Sequence, residues 1–265
     1  MGFDLVWLNG AYVPASEARV SAFDRGLAYG DGAFTTLRVG GGAPLLLARH
    51  LERLARDLEA LRITPPEADA LAAACHGLVE RLELSEATLK ITVTRGAGGR
   101  GPAPPEEPEP TAFVAASVLP APRSPLRAAT VPDERGALAG HKSLNYLPSV
   151  LALREARSRD CEEAIFVRGG ALVEASVSNL VGLVDDRPIT PAGDGILPGI
   201  ARGVLLEAGA VVEGAIPADT RGPLYCVNAV RGVEAVGELD GRTLARDPET
   251  EARLTAALRE RGALP

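Results

Sequence analysis

The chain has 265 residues, of which 46% are hydrophobic and 24% charged, and its formal net charge is −7. This length suits two compact lobes, and the composition excludes a disordered chain. The acidic balance, without any cluster of basic residues, argues against nucleic-acid binding.

Membrane, secretion and metal functions also lack support. No apolar run approaches the ~18 residues of a membrane span, and the first residues lack the basic start and apolar run of a signal peptide. Three cysteines and three histidines are dispersed along the chain, without the spacing of a disulfide framework or a metal site. We therefore expect a cytoplasmic, metal-free protein.

The chain begins with a short strand and turn at 1–13. The glycine-rich turn Tyr29-Gly30-Asp31-Gly32 then leads into a strand that begins at Ala33. Because side chains alternate along a strand, Phe34, Thr36 and Arg38 share one face, which we interpret as the inward face. A helix follows, with leucines spaced 4-3-4-3 at positions 47, 51, 54, 58 and 61.

A second helix at about 67–82 leads to the alternating strand Ala87–Thr94. Its apolar side chains face the core, so Lys90 lies on the other face, where a solvated lysine is the ordinary interpretation. The segment Arg95–Gly101 then forms a glycine-rich flexible loop, prolonged by five prolines between Pro102 and Pro110.

The segment Leu119-Pro120-Ala121-Pro122 is the best candidate for an interdomain linker. We predict an α+β fold in two lobes: a small α+β lobe at 1–118, a linker at 119–126, and a large lobe at 127–265 that carries Lys142. In the large lobe the pattern predicts a helix through Leu151 and Ala156, strands at 163–167, 171–174, 179–184 and 224–227, and a helix from 198 to about 208.

Only two of the 28 basic residues are lysines, Lys90 and Lys142. A Schiff base requires a primary amine that can lose its proton, which a guanidinium cannot supply. Taken alone, Lys142 is as readily structural as functional, and Glu174, at the end of an apolar strand, is more often a rim charge. A helix start such as Gly199-Ile200-Ala201 favours anions, but helix starts are common.

The combination is more specific than its parts. The chain resembles the class IV aminotransferase family from about Leu5 to Val236, with Lys142, Glu174 and the Gly199-Ile200 turn in that family's order and intervals. The matching motifs are Asp24-Arg25-Gly26, Tyr29-Gly30-Asp31-Gly32, His50-Leu51-Glu52-Arg53-Leu54, the lysine segment, Glu174 with Ser178-Asn179, and Gly199-Ile200-Ala201-Arg202.

This resemblance implies a two-lobed enzyme of fold type IV, a homodimer, that uses pyridoxal 5'-phosphate. It implies that Lys142 forms the Schiff base and that Glu174 pairs with the pyridine nitrogen.

The phosphate would be bound by Arg53, by the backbone amides of Ile200 and Ala201, and by the turn at Asn228-Ala229. One departure is Ala201, since the aminotransferases usually carry a threonine there whose hydroxyl bonds the phosphate.

Three local patterns are similar to the lyase branch of the family, which converts 4-amino-4-deoxychorismate to 4-aminobenzoate and pyruvate in folate biosynthesis. They are the paired threonines within Gly30–Arg38, the loop Thr94–Gly101, and Val227-Asn228-Ala229-Val230. This likeness implies that Lys142 is catalytic and that the small-molecule substrate contacts Phe34, Arg38 and Arg100. Thr36, on the strand face of Phe34, is the candidate catalytic residue that relays or orients the proton transfer, and the alternative is a strand threonine satisfied by its neighbours.

Two alternatives stay open. An aminotransferase acting on D- or branched-chain amino acids is one: Tyr146 is similar to the branched-chain enzymes, whereas Pro102 replaces the histidine of the D-amino-acid enzymes. A non-catalytic protein that merely keeps the fold is the other, and the presence of both Lys142 and Glu174 disfavours it.

Overall fold

The computed structural model describes residues 2–123 and 125–265. The fold is α+β, as predicted. By its internal contacts the chain divides into two compact units. The first comprises Met1–Leu119, His141–Asn145 and Pro265, and the second comprises Pro120–Gly140 and Tyr146–Leu264.

The first unit is built on an antiparallel sheet in the order β2-β1-β6-β5-β3-β4. Its strands are β1 (Gly2–Leu8), β2 (Ala11–Pro14), β3 (Gly32–Gly40), β4 (Ala43–Pro44), β5 (Ala87–Thr94) and β6 (Thr111–Ser117). Its helices are α1 (Arg25–Tyr29), α2 (Leu47–Ala60) and α3 (Ala68–Arg81).

One face of this sheet forms the hydrophobic core with α2 and α3. The leucine stripe of α2 supplies Leu51, Leu54 and Leu58, which meet Leu37 of β3 and Ile91 of β5. The 4-3 spacing of the leucines therefore buries one side of the helix, which is where most of its stability arises.

The second unit contains a mixed sheet in the order β12-β11-β10-β14-β15-β7-β8-β9-β13, with β16 paired to β15. Its strands are β7 (Leu126–Pro132), β8 (Glu163–Arg168), β9 (Ala171–Ala175), β10 (Asn179–Val184), β11 (Arg187–Thr190), β12 (Val212–Glu213), β13 (Ile216–Pro217), β14 (Leu224–Asn228), β15 (Gly232–Leu239) and β16 (Arg242–Thr243). Its helices are α4 (Leu147–Ser158), α5 (Ile200–Glu207) and α6 (Pro248–Glu260).

Two hydrophobic clusters stabilise this unit. One contains Ile165, Leu172 and Leu180, while the other joins Phe166 and Val131 to α4. Neighbouring residues 165 and 166 thus enter different clusters, as expected for a sheet that is covered on both faces. None of the described helices has the length and apolar character needed to cross a membrane.

The structure differs from the sequence prediction in several places, and the strand β15 is among the elements that the sequence did not predict. Residues 141–145, which contain Lys142, belong by their contacts to the first unit, whereas the sequence assigned Lys142 to the lobe at 127–265. The reason is that this segment pairs with β3, a long-range contact without a local sequence signal. The helix α6 also went unpredicted, although Asp247 caps its start by accepting a hydrogen bond from Thr250 N.

Candidate functional site

The backbone of Lys142 is fixed by pairing with β3. Phe34 N donates to Lys142 O at 2.9 Å, and Leu144 N donates to Gly32 O at 2.8 Å. Ala33 and Ser143 form an isolated antiparallel bridge between these bonds. The lysine is therefore held as if on a short extra strand, which limits where its amine can reach.

Asp57 of α2 holds the same segment from the helical side. Its Oδ2 accepts from Lys142 N at 3.2 Å, and its Oδ1 lies 3.0 Å from His141 Nδ1. The Asp57 side chain is almost fully buried. A buried carboxylate is stable only when it is hydrogen-bonded, so this contact ties the lysine segment to α2.

Both lysines of the chain lie against one aromatic ring. Lys142 Nζ is 4.7 Å, and Lys90 Nζ 4.4 Å, from the centre of the Phe34 ring. Both amines are therefore within contact distance of the same ring. Lys90 as a whole residue is exposed, as the sequence indicates, yet burial around its amino group lowers its pKa.

Thr36 and Arg38 share the face of β3 that carries Phe34. Thr36 is half-buried and lies opposite Lys90 in register, whereas Arg38 pairs with Glu86 at 3.0 Å. The interpretation of this face as inward is wrong for the unit's core, because Ala33 and Leu37 on the opposite face are the core residues. The face of Phe34 is thus the one available for binding.

Arg53 is buried, although an arginine on a helix is usually exposed. Its Nη2 donates to Thr35 Oγ1 at 2.8 Å, and Thr35 Oγ1 lies 2.8 Å from His50 Nδ1. A hydroxyl that accepts from Arg53 has its single proton left for His50, so His50 Nδ1 is the acceptor. The pKa of His50 is lowered to about 3, mainly by burial and to a smaller extent by the positive charges of Arg53 and Lys142.

This buried neutral histidine gives a testable pH dependence. Unfolded His50 binds a proton below pH 6.5, whereas folded His50 does not until about pH 3, so stability is lost as the pH falls below 6.5. At pH 5 the loss from this one group is about 2 kcal/mol relative to pH 7.5. Urea unfolding of the wild type and of His50→Gln at the two pH values measures it.

The variant His50→Gln is expected to lose that part of the pH dependence. His76, which is exposed, supplies the matched control, and His76→Gln should behave as the wild type. An identical pH response of His50→Gln and the wild type would contradict the assignment.

A sequence signal for this cluster existed. His50, Arg53 and Asp57 are spaced three and four residues apart, so they form one polar stripe on α2 beside the leucine stripe. Polar residues at helical spacing next to a core stripe indicate a functional face, and this indication covers Asp57, which the sequence analysis missed.

Glu174 lies at the end of β9 in the second unit and is buried. It accepts hydrogen bonds from Asn179 Nδ2 at 3.1 Å and from Leu197 N at 3.0 Å, and it forms an ion pair with Arg135 Nη1. A carboxylate with three donors is strongly oriented, so a cap or rim charge does not describe it.

Arg135 was missed by the sequence analysis. It also pairs with Asp133, Nε to Oδ1 at 2.8 Å, and donates to Gly195 O at 3.2 Å. Its segment has no periodic pattern, so nothing in the local sequence connects it with Glu174. Arg135 positions the carboxylate by the fork geometry of its guanidinium.

Asn179 joins Glu174 to the start of α5. Its Nδ2 donates to Leu197 O at 2.9 Å as well as to Glu174. A Cβ at Gly199 would lie 1.9 Å from Asn179 Oδ1, so only glycine fits at the residue that precedes the helix. The requirement for Gly199 is therefore steric.

The first amides of α5 are oriented for an anion. In the described part of the chain no side chain caps this helix, and its first backbone bond runs from Gly203 N to Gly199 O at 2.8 Å. The amides of Ile200 and Ala201 precede that bond and carry the positive end of the helix dipole. Ala201 is buried and brings no hydroxyl, so any binding there is through the backbone.

The turn at Asn228-Ala229 is close to these residues in the second unit. Asn228 Nδ2 donates to Ser178 Oγ at 2.9 Å, and its Oδ1 accepts from Val230 N at 2.9 Å and Arg231 N at 2.8 Å. The Asn228 side chain therefore shapes the turn, which leaves backbone groups of the turn as the candidates for binding.

Arg100 is exposed in the loop after β5. Among residues 2–123 and 125–265 no hydrogen bond or ion pair involves its guanidinium, so its donors are available to a ligand. No cluster of three or more His, Cys, Asp or Glu side chains that could hold a metal ion occurs in the described ranges.

The residues present fit a pyridoxal cofactor. Taken by itself, the first unit carries a primary amine at Lys142 and the buried guanidinium of Arg53. Taken by itself, the second unit carries the buried carboxylate of Glu174 and the helix-start amides of α5. An amine, a carboxylate for the ring nitrogen and a cradle for phosphate are the three groups that this cofactor requires.

The sequence profile of the family described as amino-transferase class IV matches residues 32–238. A protein of Methanocaldococcus jannaschii, provisionally named a branched-chain-amino-acid aminotransferase, is 31% identical over 90% of this chain and 89% of its own. The D-alanine aminotransferase of Staphylococcus aureus is 32% identical, over 76% of this chain and 73% of its own.

Among solved structures, the 4-amino-4-deoxychorismate lyase of Pseudomonas aeruginosa superimposes with a TM-score of 0.82 and is 31% identical, covering 97% of this chain and 98% of its own. Fold type IV, which the sequence implied by resemblance, is confirmed.

Proposed function

The chain belongs to the class IV aminotransferase family, whose members are pyridoxal-phosphate enzymes, and within it we propose a lyase that converts 4-amino-4-deoxychorismate to 4-aminobenzoate and pyruvate. The observation that carries this proposal is a hydroxyl on the same strand face as a ring that contacts an amine. Thr36 shares a strand face with Phe34, whose ring contacts the Lys142 amine. An elimination needs both a base and a proton donor.

When bound, pyridoxal phosphate supplies an electron sink conjugated to the substrate's nitrogen. Lys142, exchanged for the substrate amine, takes the proton from ring carbon C4, and the bond between C3 and the enolpyruvyl oxygen breaks. The Thr36 hydroxyl relays a proton to that oxygen, and the leaving group departs as enolpyruvate, which tautomerises to pyruvate. The ring becomes aromatic, and no keto acid is consumed.

The remaining residues hold the cofactor. Glu174, oriented by Arg135 and Asn179, keeps the pyridine nitrogen protonated. Arg53, the amides of Ile200 and Ala201, and the Asn228-Ala229 turn bind the phosphate.

Two arginines and one ring are assigned to the substrate. Arg100 grips a carboxylate, because a guanidinium binds carboxylates bidentately. Arg38 releases Glu86 and binds the second carboxylate of the substrate. Because the Glu86 side chain is exposed, its ion pair with Arg38 is weak and is readily broken. Phe34 packs against the substrate ring.

The likeness to the P. aeruginosa lyase along nearly the whole chain supports the lyase proposal. The two relatives that are named aminotransferases support a second candidate, a class IV aminotransferase acting on branched-chain or D-amino acids. Class IV enzymes are commonly dimers, and we propose a cytoplasmic homodimer here as well.

The test is to offer the purified protein, loaded with pyridoxal phosphate, 4-amino-4-deoxychorismate without any keto acid. Release of 4-aminobenzoate and pyruvate in equal amounts is expected. Parallel reactions contain D-alanine or leucine with a keto acid. Turnover only in those reactions would overturn the lyase proposal and leave the second candidate.

A further inference from the structure

The motif Asp24-Arg25-Gly26 has no role in the function proposed so far. Arg25 is nevertheless buried, with only 3% of its surface exposed. It lies at the start of α1, and its Nε pairs with Asp31 Oδ2 at 2.8 Å. A buried arginine in a motif that the cofactor does not explain requires its own account.

The guanidinium of Arg25 donates to three consecutive carbonyl groups of one loop. Its Nη1 donates to Gly101 O and to Ala103 O, both at 3.1 Å, and its Nη2 donates to Pro102 O at 2.7 Å. Hydrogen bonds from a charged donor are stronger than neutral ones, and three of them on adjacent residues fix the path of the backbone.

The rest of the loop is also wrapped around Arg25. Gly96 O accepts from Arg25 N at 2.8 Å, and a Cβ at Gly98 would lie 2.9 Å from Arg25 Cδ. Tyr29, whose ring lies 4.8 Å from the guanidinium, accepts from Gly101 N at 3.0 Å. Arg25 therefore holds the segment 96–103 at one end through its backbone amide and at the other through its guanidinium, whereas the sequence predicted a flexible loop at Arg95–Gly101.

Arg100 lies inside this clamped segment and points no donor at any described residue. We infer that Arg25 is a positioning residue that acts through Arg100, holding the loop so that the Arg100 guanidinium meets a substrate carboxylate at a fixed place. This inference rests on the proposed role of Arg100 in substrate binding.

The chain supplies a matched control in Arg95. Its Nε pairs with the same atom, Asp31 Oδ2, at the same 2.8 Å, and it is similarly buried. Its Nη2 also donates to Asp31 Oδ1 at 3.0 Å, and its two terminal nitrogens reach Leu61 O and Arg62 O, beyond α2, and not the loop carbonyls. Arg25→Lys and Arg95→Lys each keep a cation beside Asp31, but only the first removes the fork that holds the loop.

The first measurement needs no substrate. Trypsin cleaves after Arg100, and the rate of cleavage follows the population of the open loop. Arg25→Lys is expected to accelerate this cut about tenfold, because charge-assisted bonds to the loop are lost. Arg95→Lys should be cut at the wild-type rate. Equal cleavage rates for the two variants would contradict the inference that Arg25 holds the loop.

The second measurement is a double-mutant cycle on the holoenzyme, with whichever substrate the wild type turns over. Arg25→Lys is expected to raise KM about tenfold with kcat nearly unchanged, since only substrate binding is altered. In the Arg100→Ala background Arg25→Lys should add no further change. A full effect in that background would overturn the inference.

Failure of the proposed function and failure of this inference can be told apart. Absence of 4-aminobenzoate release counts against the proposed lyase. The rate of tryptic cleavage after Arg100 shows whether Arg25 holds the loop, whether or not the lyase activity exists.

Discussion

Replacing Lys142 with alanine is expected to lower turnover by about 10³-fold or more, since the variant loses both the covalent attachment point and the base. The cofactor should then be removable by gel filtration, and borohydride should no longer fix it to the protein. A steady-state assay measures the loss of turnover. Mass spectrometry of the protein after borohydride reduction measures the loss of the covalent cofactor linkage.

Lys90 is the matched control for this experiment. It is the only other lysine, and its amine lies at a similar distance from the same Phe34 ring. Lys90→Ala should keep the reducible linkage and a mass increment located at Lys142. Fixation of the cofactor by Lys142→Ala, or its loss in Lys90→Ala, would show that the wrong amine has been assigned.

Replacing Glu174 with glutamine is expected to lower kcat by about 10²–10³-fold, the size seen when one preorganised electrostatic group is removed from a reacting centre. The amide cannot keep the pyridine nitrogen protonated, so the electron sink weakens while the phosphate contacts stay intact. We therefore expect the affinity for pyridoxal phosphate, measured by fluorescence titration, to change much less than kcat.

Glu163 provides the control for burial. It is another buried carboxylate of the second unit, with partners in Arg123 and Ser176. Glu163→Gln should lower the unfolding midpoint by an amount comparable to Glu174→Gln, but leave kcat close to the wild-type value. If both variants lost kcat equally, the effect of Glu174→Gln would be one of stability and not of chemistry.

Periodic segments were predictable because their signal is local. The leucine spacing predicted α2, and the alternation of Leu89, Ile91 and Val93 predicted the strand β5 with its observed bounds. In both cases burial of one face is decided by side chains a few residues apart. The helix α6 has a weaker stripe, since Leu254 and Leu258 are its only leucines and its third buried residue is Thr250.

The residues of the candidate site likewise fall into those with a signal in the sequence and those without one. Lys142 and Glu174 could be singled out because a Schiff base and a ring-nitrogen partner demand those chemical groups, and the family resemblance placed them. Arg135 and Asp57 could not, because each acts on a residue that is far away in sequence. In the sequence these two residues cannot be distinguished from other charged residues, because their partners are brought close only by the fold.

The sequence by itself determined the alternating α+β elements, the scarcity of primary amines and the family of the chain. It could do so because the spacing of residues and the chemistry of their side chains are properties of the local sequence. Only the tertiary structure decided that residues 141–145 join β3, that Arg53 is buried against Thr35, and that Arg25 meets the carbonyls of Gly101, Pro102 and Ala103. Those contacts join distant residues, and their geometry exists only once the chain has closed its long-range loops.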